Sequence, residues 1–487
     1  MSFTTPSFLV FLIILFISYY FLLKEKTHVQ NLLLLSSSYF FYAYANWRLL
    51  PILIIATLVY YWLGSAIFCS VNPKRKYFLS LLGAILGVGL LIYFKYFNFF
   101  ISSFAHLFNF MGLKANVGTF DIIVPIGISF FTFKLISYTI EIKKGKMEPC
   151  ENLIAFATYV AFFPTILSGP IDRPYNFIPQ LFMKRVFNYS LAVGACRQIL
   201  WGAFQKMVIA DNLAEIVNKV WRDIPGQSSG VLIITAILYS LQLYTDFSGY
   251  SNMAIGVGKI FGFKITKNFE YPFFGRNISE FWKKWHISLT SWLTDYVFMP
   301  LNIQFRNFGT LGIILAILIN MVLVGIWHGA NWTFIIFGFY NGLLFIPIIL
   351  SGTFLKKKKL KSNQYGLPSL SDFGKMLVTF LLVTIGFVIF RAENIGQAMQ
   401  YFLSIFDMSI YPFNLNEFRF LSLNFIPIFF SILLIGLEWH SREDEYAIAQ
   451  FGLNWHKPYR ILFYYTLIFL IILCSPDTQN QFIYFKF

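Results

Sequence analysis

Apolar residues in this chain gather in long runs, separated by short polar, basic or proline-containing intervals. The runs fall near residues 7–23, 29–45, 50–70, 77–101, 122–141, 151–168, 231–247, 310–327, 332–351, 374–391, 421–438 and 459–474. Most approach the ~20 residues that carry an α-helix across a bilayer. A membrane β-strand would alternate apolar and polar residues, whereas "LGIILAILINMVLVGIW" is apolar throughout. The pattern predicts an all-α polytopic membrane protein with about eleven crossings, one or two of the runs being re-entrant. The run from Ser7 to Leu23 has no positive stretch before it and no small-x-small site after it, so a retained first helix is expected rather than a signal peptide. No Gly/Ser or Pro linker and no internal repeat divides the chain, which predicts one membrane domain over residues 1–487. Within it, peripheral helices would occupy 1–110, a core about 120–350, and further helices 370–487.

Basic clusters orient these runs. "KEK" (Lys24–Lys26), "NPKRK" (Asn72–Lys76), "KKGK" (Lys143–Lys146) and "KKKKLK" (Lys356–Lys361) are expected on the cytoplasmic side. The run 332–351 then passes from outside to inside, and the junction before it lies toward the external half of the membrane. The middle of the chain breaks the pattern. "LSGPIDRPYNFIPQLF" (Leu167–Phe182) has three prolines within ten residues, too many for a continuous helix. "WRDIPGQSSG" reads as a polar loop. In "YPFFGRNISEFWKKWHISLTSWLTDYVFMPL" (Tyr271–Leu301), Ile278, Phe281, Trp282, Trp285 and Leu289 recur at roughly helical spacing. That spacing predicts a helix lying on the cytoplasmic surface or dipping partway in. Irregular backbone at membrane depth is tolerated only where it lines a protein-enclosed cavity, so this region is expected to build one.

Composition agrees and excludes other classes. Of 487 residues 57% are hydrophobic and 12% charged, and the net charge is +16. The positive excess sits in membrane-flanking loops, where it meets anionic lipid, so nucleic-acid binding is not expected. Cys69, Cys150, Cys196 and Cys474 are scattered without a CxxC pair or a Cys/His cluster, so no metal site is expected. There is no P-loop, GxSxG elbow, HExxH or dinucleotide fingerprint.

Six histidines remain as candidates for chemistry. His28, His106, His440 and His456 lie in or beside loops. His328 is different: it follows seventeen largely apolar residues in "VGIWHGANWTF". Burying an unpartnered polar ring costs ~1–3 kcal/mol, and intramembrane ionisable groups commonly mark function. Gly325 and Gly329 would let a backbone or a substrate come close, and Asn331 supplies a donor and an acceptor. A core histidine bonded to a neighbouring helix is the competing explanation. His286, in "WKKWHISLT", reads as a surface residue of the basic helix, where Lys283 and Lys284 would meet lipid headgroups or attract an anionic donor. Asp246 and Ser248, in "LYTDFSGYSNM", either line a cavity or cap the next helix.

These residues lie in seven segments that together resemble the membrane-bound O-acyltransferase (MBOAT) superfamily. The segments are "PIGISFFTF", "FFPTILSGPIDR", "DFSGYSNMAIG", "NISEFWKKWHISLTSWL", "WHGANWTFIIFG", "FVIFRA" and the terminal "FIYFKF". They resemble most the bacterial branch that serves alginate and peptidoglycan O-acetylation and teichoic acid D-alanylation. The resemblance implies a ring of helices around a thin centre with a tunnel between the two aqueous compartments. It implies that His328 is the catalytic histidine and that His286 occupies a second, upstream catalytic position, usually Asn or His. Trp327, Trp285, Asn331, Lys283, Lys284, Asp246 and Ser248 would then contact substrate. Many relatives carry a further histidine where this chain has Asn341 in "FYNGL", so proton transfer is not expected there. No bound cofactor is implied. The donor would be acetyl-CoA or an acyl-carrier thioester, and the partner an SGNH-like transferase outside the bacterial inner membrane. D-alanyl transfer to teichoic acid is the alternative within the family. A transporter or flippase is the alternative outside it, although the paired broken helices of two related halves are not visible.

Overall fold

The computed structural model describes residues 1–24, 26–113, 118, 120–354, 366–406, 415–476 and 482–483, without the side chains of 415–418. The "KKKKLK" run and residues 484–487 of "FIYFKF" lie outside the described residues. Among those described, every element is helical and no strand occurs. The helical stretches long and apolar enough to cross a membrane are Thr27–Phe68, Pro73–Phe110, Ser229–Ile260, Arg306–His328, Trp332–Leu350, Leu370–Arg391 and Lys457–Cys474. Pro6–Leu22 and Phe425–His440 are shorter apolar helices. The first stretch is interrupted at Asn46, whose extended backbone and side-chain cap on the Arg48 N–H (3.1 Å) separate two helices. The protein is an all-α polytopic membrane protein. It forms two compact units, Met1–Cys196 with Ala254–Thr266, and Arg197–Met253 with Lys267–Phe487.

The first unit is built around the Ile128–Lys143 helix, buried at every position except Ile140 and Lys143. The helix starts at Gly127, whose φ of 74° suits glycine and where a Cβ would stand 2.2 Å from the Ile166 carbonyl oxygen. The run at 151–168 is not one helix. Leu153–Ala161 ends where Phe162 leaves helical geometry (φ −49°, ψ 111°), and a separate short helix follows over Phe163–Ile166. The Phe163 amide freed by that break donates to the Ser38 hydroxyl at 3.1 Å, so the interruption is satisfied inside the protein. The proline-rich segment is irregular as expected, with short turns at Pro174–Phe177 and Ile178–Leu181. Polar groups tie down this segment and the stretch before it. Lys134 donates to the Tyr159 carbonyl (3.1 Å) and the Thr165 hydroxyl (2.9 Å). Asp172 accepts from the Thr266 amide (2.9 Å) and hydroxyl (2.7 Å).

In the second unit the Gly309–His328 and Trp332–Leu350 helices form a hairpin across three residues. The glycines explain how closely they pass. A Cβ on Gly325 would lie 2.0 Å from the Phe334 carbonyl oxygen, and one on Gly338 2.3 Å from that of Met321. Small residues at such crossings let two apolar helices associate through packing where no water drives them together. The Ser229–Ile260 helix is longer than the 231–247 run suggests, so Asp246 lies inside it and caps nothing.

Gly325→Val should therefore lower thermal stability in detergent by about 1–3 kcal/mol or more, because backbone opposes the new methyls. Gly436→Ala, whose Cβ meets nothing within 4 Å, should melt like the unaltered protein.

Candidate active site

His328 is the last residue of the Gly309–His328 helix, where the following residue turns extended (Gly329, φ −178°). The carbonyl end of a helix favours positive charge, so this position suits an imidazole that becomes charged when it accepts a proton. Its ring is 4% exposed. It meets the edge of Phe390 at 5.0 Å and Phe337 at 6.2 Å between ring centres, with Phe334 at 6.5 Å. Edge-on aromatic pairs contribute ~0.5–1.5 kcal/mol each beyond burial, so the imidazole's orientation is fixed on several sides.

His286 is not on a surface helix. The continuous helix expected from the spacing of Ile278 to Leu289 is two short ones, Ile278–Trp282 and Ile287–Leu293. His286 stands between them in the left-handed region (φ 46°, ψ 52°) and is 1% exposed. A non-glycine residue there costs on the order of 1–3 kcal/mol and persists only where its surroundings hold it. They do so from both sides. The Glu270 amide donates to the Lys284 carbonyl at 3.0 Å, and the Ile287 amide to the Asn268 carbonyl at 2.8 Å. The Ser288 hydroxyl donates to Asn268 Oδ1 at 2.6 Å. Upstream, Asn277 caps the first short helix at the Glu280 amide (2.9 Å) and Arg276 forks onto the Glu280 carboxylate (3.0 and 2.8 Å). His286 Nδ1 accepts a long hydrogen bond, 3.4 Å, from the Leu289 amide. An accepting nitrogen carries no proton, so a neutral ring holds its hydrogen on Nε2, on the side away from its own helix.

The two imidazoles meet the same side chain. The Trp327 indole lies 5.4 Å from the His286 ring, edge to face, and 5.0 Å from the His328 ring. Trp327 is itself 5% exposed. Beneath this trio Trp285 packs with Phe281, Phe269 and Phe387 at 5.1–5.4 Å. A buried pair of nitrogen bases joined by an indole, walled by aromatic rings, can remove a proton from one group and donate one to another away from bulk water.

The sequence pattern of the "MBOAT, membrane-bound O-acyltransferase family" matches residues 8–381. The chain belongs to this family. It is 33% identical to the "Probable alginate O-acetylase AlgI" of Pseudomonas putida over the whole of both chains. It is 30% identical to the "Peptidoglycan O-acetyltransferase" of Helicobacter pylori over all of this chain and 97% of that one. It is 31% identical to the "Teichoic acid D-alanyltransferase" of Streptococcus thermophilus over 56% of this chain and 69% of that one. The protein is a membrane O-acyltransferase.

Within this MBOAT chain the other singled-out residues fall into distinct places. Lys283 is exposed and Lys284 half-buried, on the turn leading to His286. Asn331 caps the Trp332–Leu350 helix at the Thr333 amide (3.1 Å) and donates to the Glu393 carbonyl (2.7 Å), so its amide is already committed. Gly325 and Gly329, read as openings for a backbone or a substrate, are filled by the next helix: a Cβ on Gly329 would meet the Phe334 ring at 2.4 Å. Asp246 accepts from the Ile483 amide (2.9 Å) and pairs with Lys206 (2.8 Å), which also pairs with Asp211 (2.7 Å). Ser248 is buried two residues further along the same helix. Two roles escaped the sequence. Phe390, inside "FVIFRA", closes the wall around His328, and Asn268, in no candidate motif, locks the His286 turn. Asn341 accepts from the Trp282 indole N–H at 3.2 Å and donates to the Phe337 carbonyl at 2.9 Å.

Asn341→Leu should cost about 1–3 kcal/mol of stability by stranding the Trp282 N–H. The loss should be smaller in a Trp282→Phe background, a non-additivity that melting of the four proteins in a double-mutant cycle measures.

Proposed function

We propose that this protein takes an acetyl group from a cytoplasmic acetyl-CoA thioester and passes it to the external side of a bacterial inner membrane. There an SGNH-like partner transferase uses it to O-acetylate a cell-envelope polysaccharide or peptidoglycan. The observation that carries the reading is the pair of buried imidazoles, His286 and His328, on one indole. His328 acts as general base. It draws the proton from an acceptor hydroxyl as that oxygen attacks the thioester carbonyl. His286, its proton on Nε2, donates to the carbonyl oxygen as negative charge grows there. The carbon–sulfur bond then breaks, and the thiolate takes up the proton held by His328. Trp327 and Trp285 form apolar walls that exclude water and spare the thioester from hydrolysis. Lys283 and Lys284 supply positive charge for the donor's phosphates. The extent of the similarity favours acetyl as cargo: the two O-acetylating relatives align along this whole chain, the D-alanyl transferase along 56% of it.

The test uses purified protein, radiolabelled acetyl-CoA and the acetate content of the envelope polymer in cells. His328→Ala should lower transfer by about 10²–10⁴-fold while the protein elutes and melts normally. Acetylation at the unaltered level in that variant rejects the catalytic role. His286→Ala should lose both its cap and its donor, whereas His286→Asn should retain a measurable part of the activity, since asparagine tolerates the left-handed region and its amide donates. Label transferred from a D-alanyl carrier protein, and none from acetyl-CoA, reassigns the cargo.

A further inference from the structure

A buried charged cluster in the second unit has no role in the reaction above. Lys206 lies on the wide-turned helical segment Phe204–Ala210 and pairs with both Asp211 (2.7 Å) and Asp246 (2.8 Å). All three residues are at most 6% exposed. An ionic group this deep in apolar protein is costly unless its geometry is well satisfied, and two carboxylates share one ammonium here. The second oxygen of Asp246 is spent on a distant backbone group, the Ile483 amide, at 2.9 Å. That bond holds Phe482 in place. Its ring stacks on Tyr250 (4.5 Å, 20° between planes) and touches Phe247 at 5.6 Å. Phe247, fully buried, stands edge-on to the His286 ring at 4.7 Å. His286 is thus gripped between Phe247 on one side and Trp327 on the other.

We infer that Asp246, fixed by Lys206, is a positioning residue that clamps the Phe482–Ile483 segment and, through Phe482 and Phe247, sets the orientation of the His286 imidazole. The inference rests on the proposed role of His286 for its consequence in catalysis, and on the contacts alone for its structural part. The chain of contacts explains two features. A charged side chain is retained in the middle of a membrane helix, and the strained His286 turn has a side-chain support as well as the backbone bonds around Asn268. The Lys206 ammonium holds one oxygen of the carboxylate, and the other accepts a bond from one amide of a segment 237 residues away.

The experiment uses the full chain labelled at histidine Cε1 with ¹³C, in detergent. Six histidines give six signals, and loss of one in His286→Gln assigns it. The decisive variant is Phe482→Ala, which removes a ring and no buried charge. Asp246→Ala is its partner, and Phe482→Tyr restores the ring. Phe482→Ala and Asp246→Ala should move the His286 signal, because the ring currents around it change, and leave the His328 signal in place. Turnover of acetyl-CoA should fall by about ten- to a hundred-fold with KM for the donor within about two-fold, the signature of a misaimed group rather than lost binding. Phe482→Tyr should return both signal and turnover toward the unaltered protein. A His286 signal that stays in place in Phe482→Ala overturns the inference. Unaltered turnover in His286→Gln would instead overturn the catalytic reading beneath it, and the signal in Phe482→Ala would still decide the contact.

Discussion

The site depends on how closely two helices pass. Gly325 and Gly338 let Gly309–His328 and Trp332–Leu350 approach until a single added carbon would strike a carbonyl oxygen. That approach places His328 at a helix end, facing Phe334 and Phe337 from the returning helix. Phe390 completes the wall from the Leu370–Arg391 helix. Helices held further apart would leave the imidazole unsupported, and the indole beside it would lose its reach to His286. The glycines cost helix propensity, ~1 kcal/mol each relative to alanine, and return it as contact.

A second constraint runs through both units. Broken backbone inside an apolar protein needs internal partners, and here they come from far along the chain. Ser38 receives the Phe163 amide, Asn268 brackets the His286 turn, and Asp172 receives Thr266. The proposed mechanism depends on the irregularity: a regular helix through residues 278–293 would place His286 on a different face and leave no strained turn to aim its ring.

Much of this was legible in the sequence. The runs at 310–327 and 332–351 are helices because about twenty largely apolar residues leave the backbone no other way to satisfy itself in lipid. His328 stood out because a lone imidazole at the end of such a run needs a reason. The quoted segments placed the chain in its family, and the whole-length relatives bear that out. What escaped was decided at long range. Helical spacing from Ile278 to Leu289 survives across a break, because two short helices separated by one tight turn keep a similar phase. The turn itself comes from Asn268, which no local pattern ties to His286. Asp246 resembled a cap because a carboxylate after apolar residues commonly is one. Lys206, 40 residues earlier in the chain, instead lets it sit in mid-helix. Asn331 resembled a substrate ligand by its chemistry, yet both ends of its amide are used in building the hairpin turn.

The central claim is that His286 and His328 serve one reacting carbonyl. The most direct measurement is an experimental structure with a non-hydrolysable thioether analogue of acetyl-CoA bound. The account predicts the analogue's carbonyl oxygen within hydrogen-bond reach of His286 Nε2, about 2.6–3.2 Å, with His328 facing the attacked carbon beside Trp327. A carbonyl bound elsewhere, with either imidazole still enclosed by its aromatic neighbours, would contradict it.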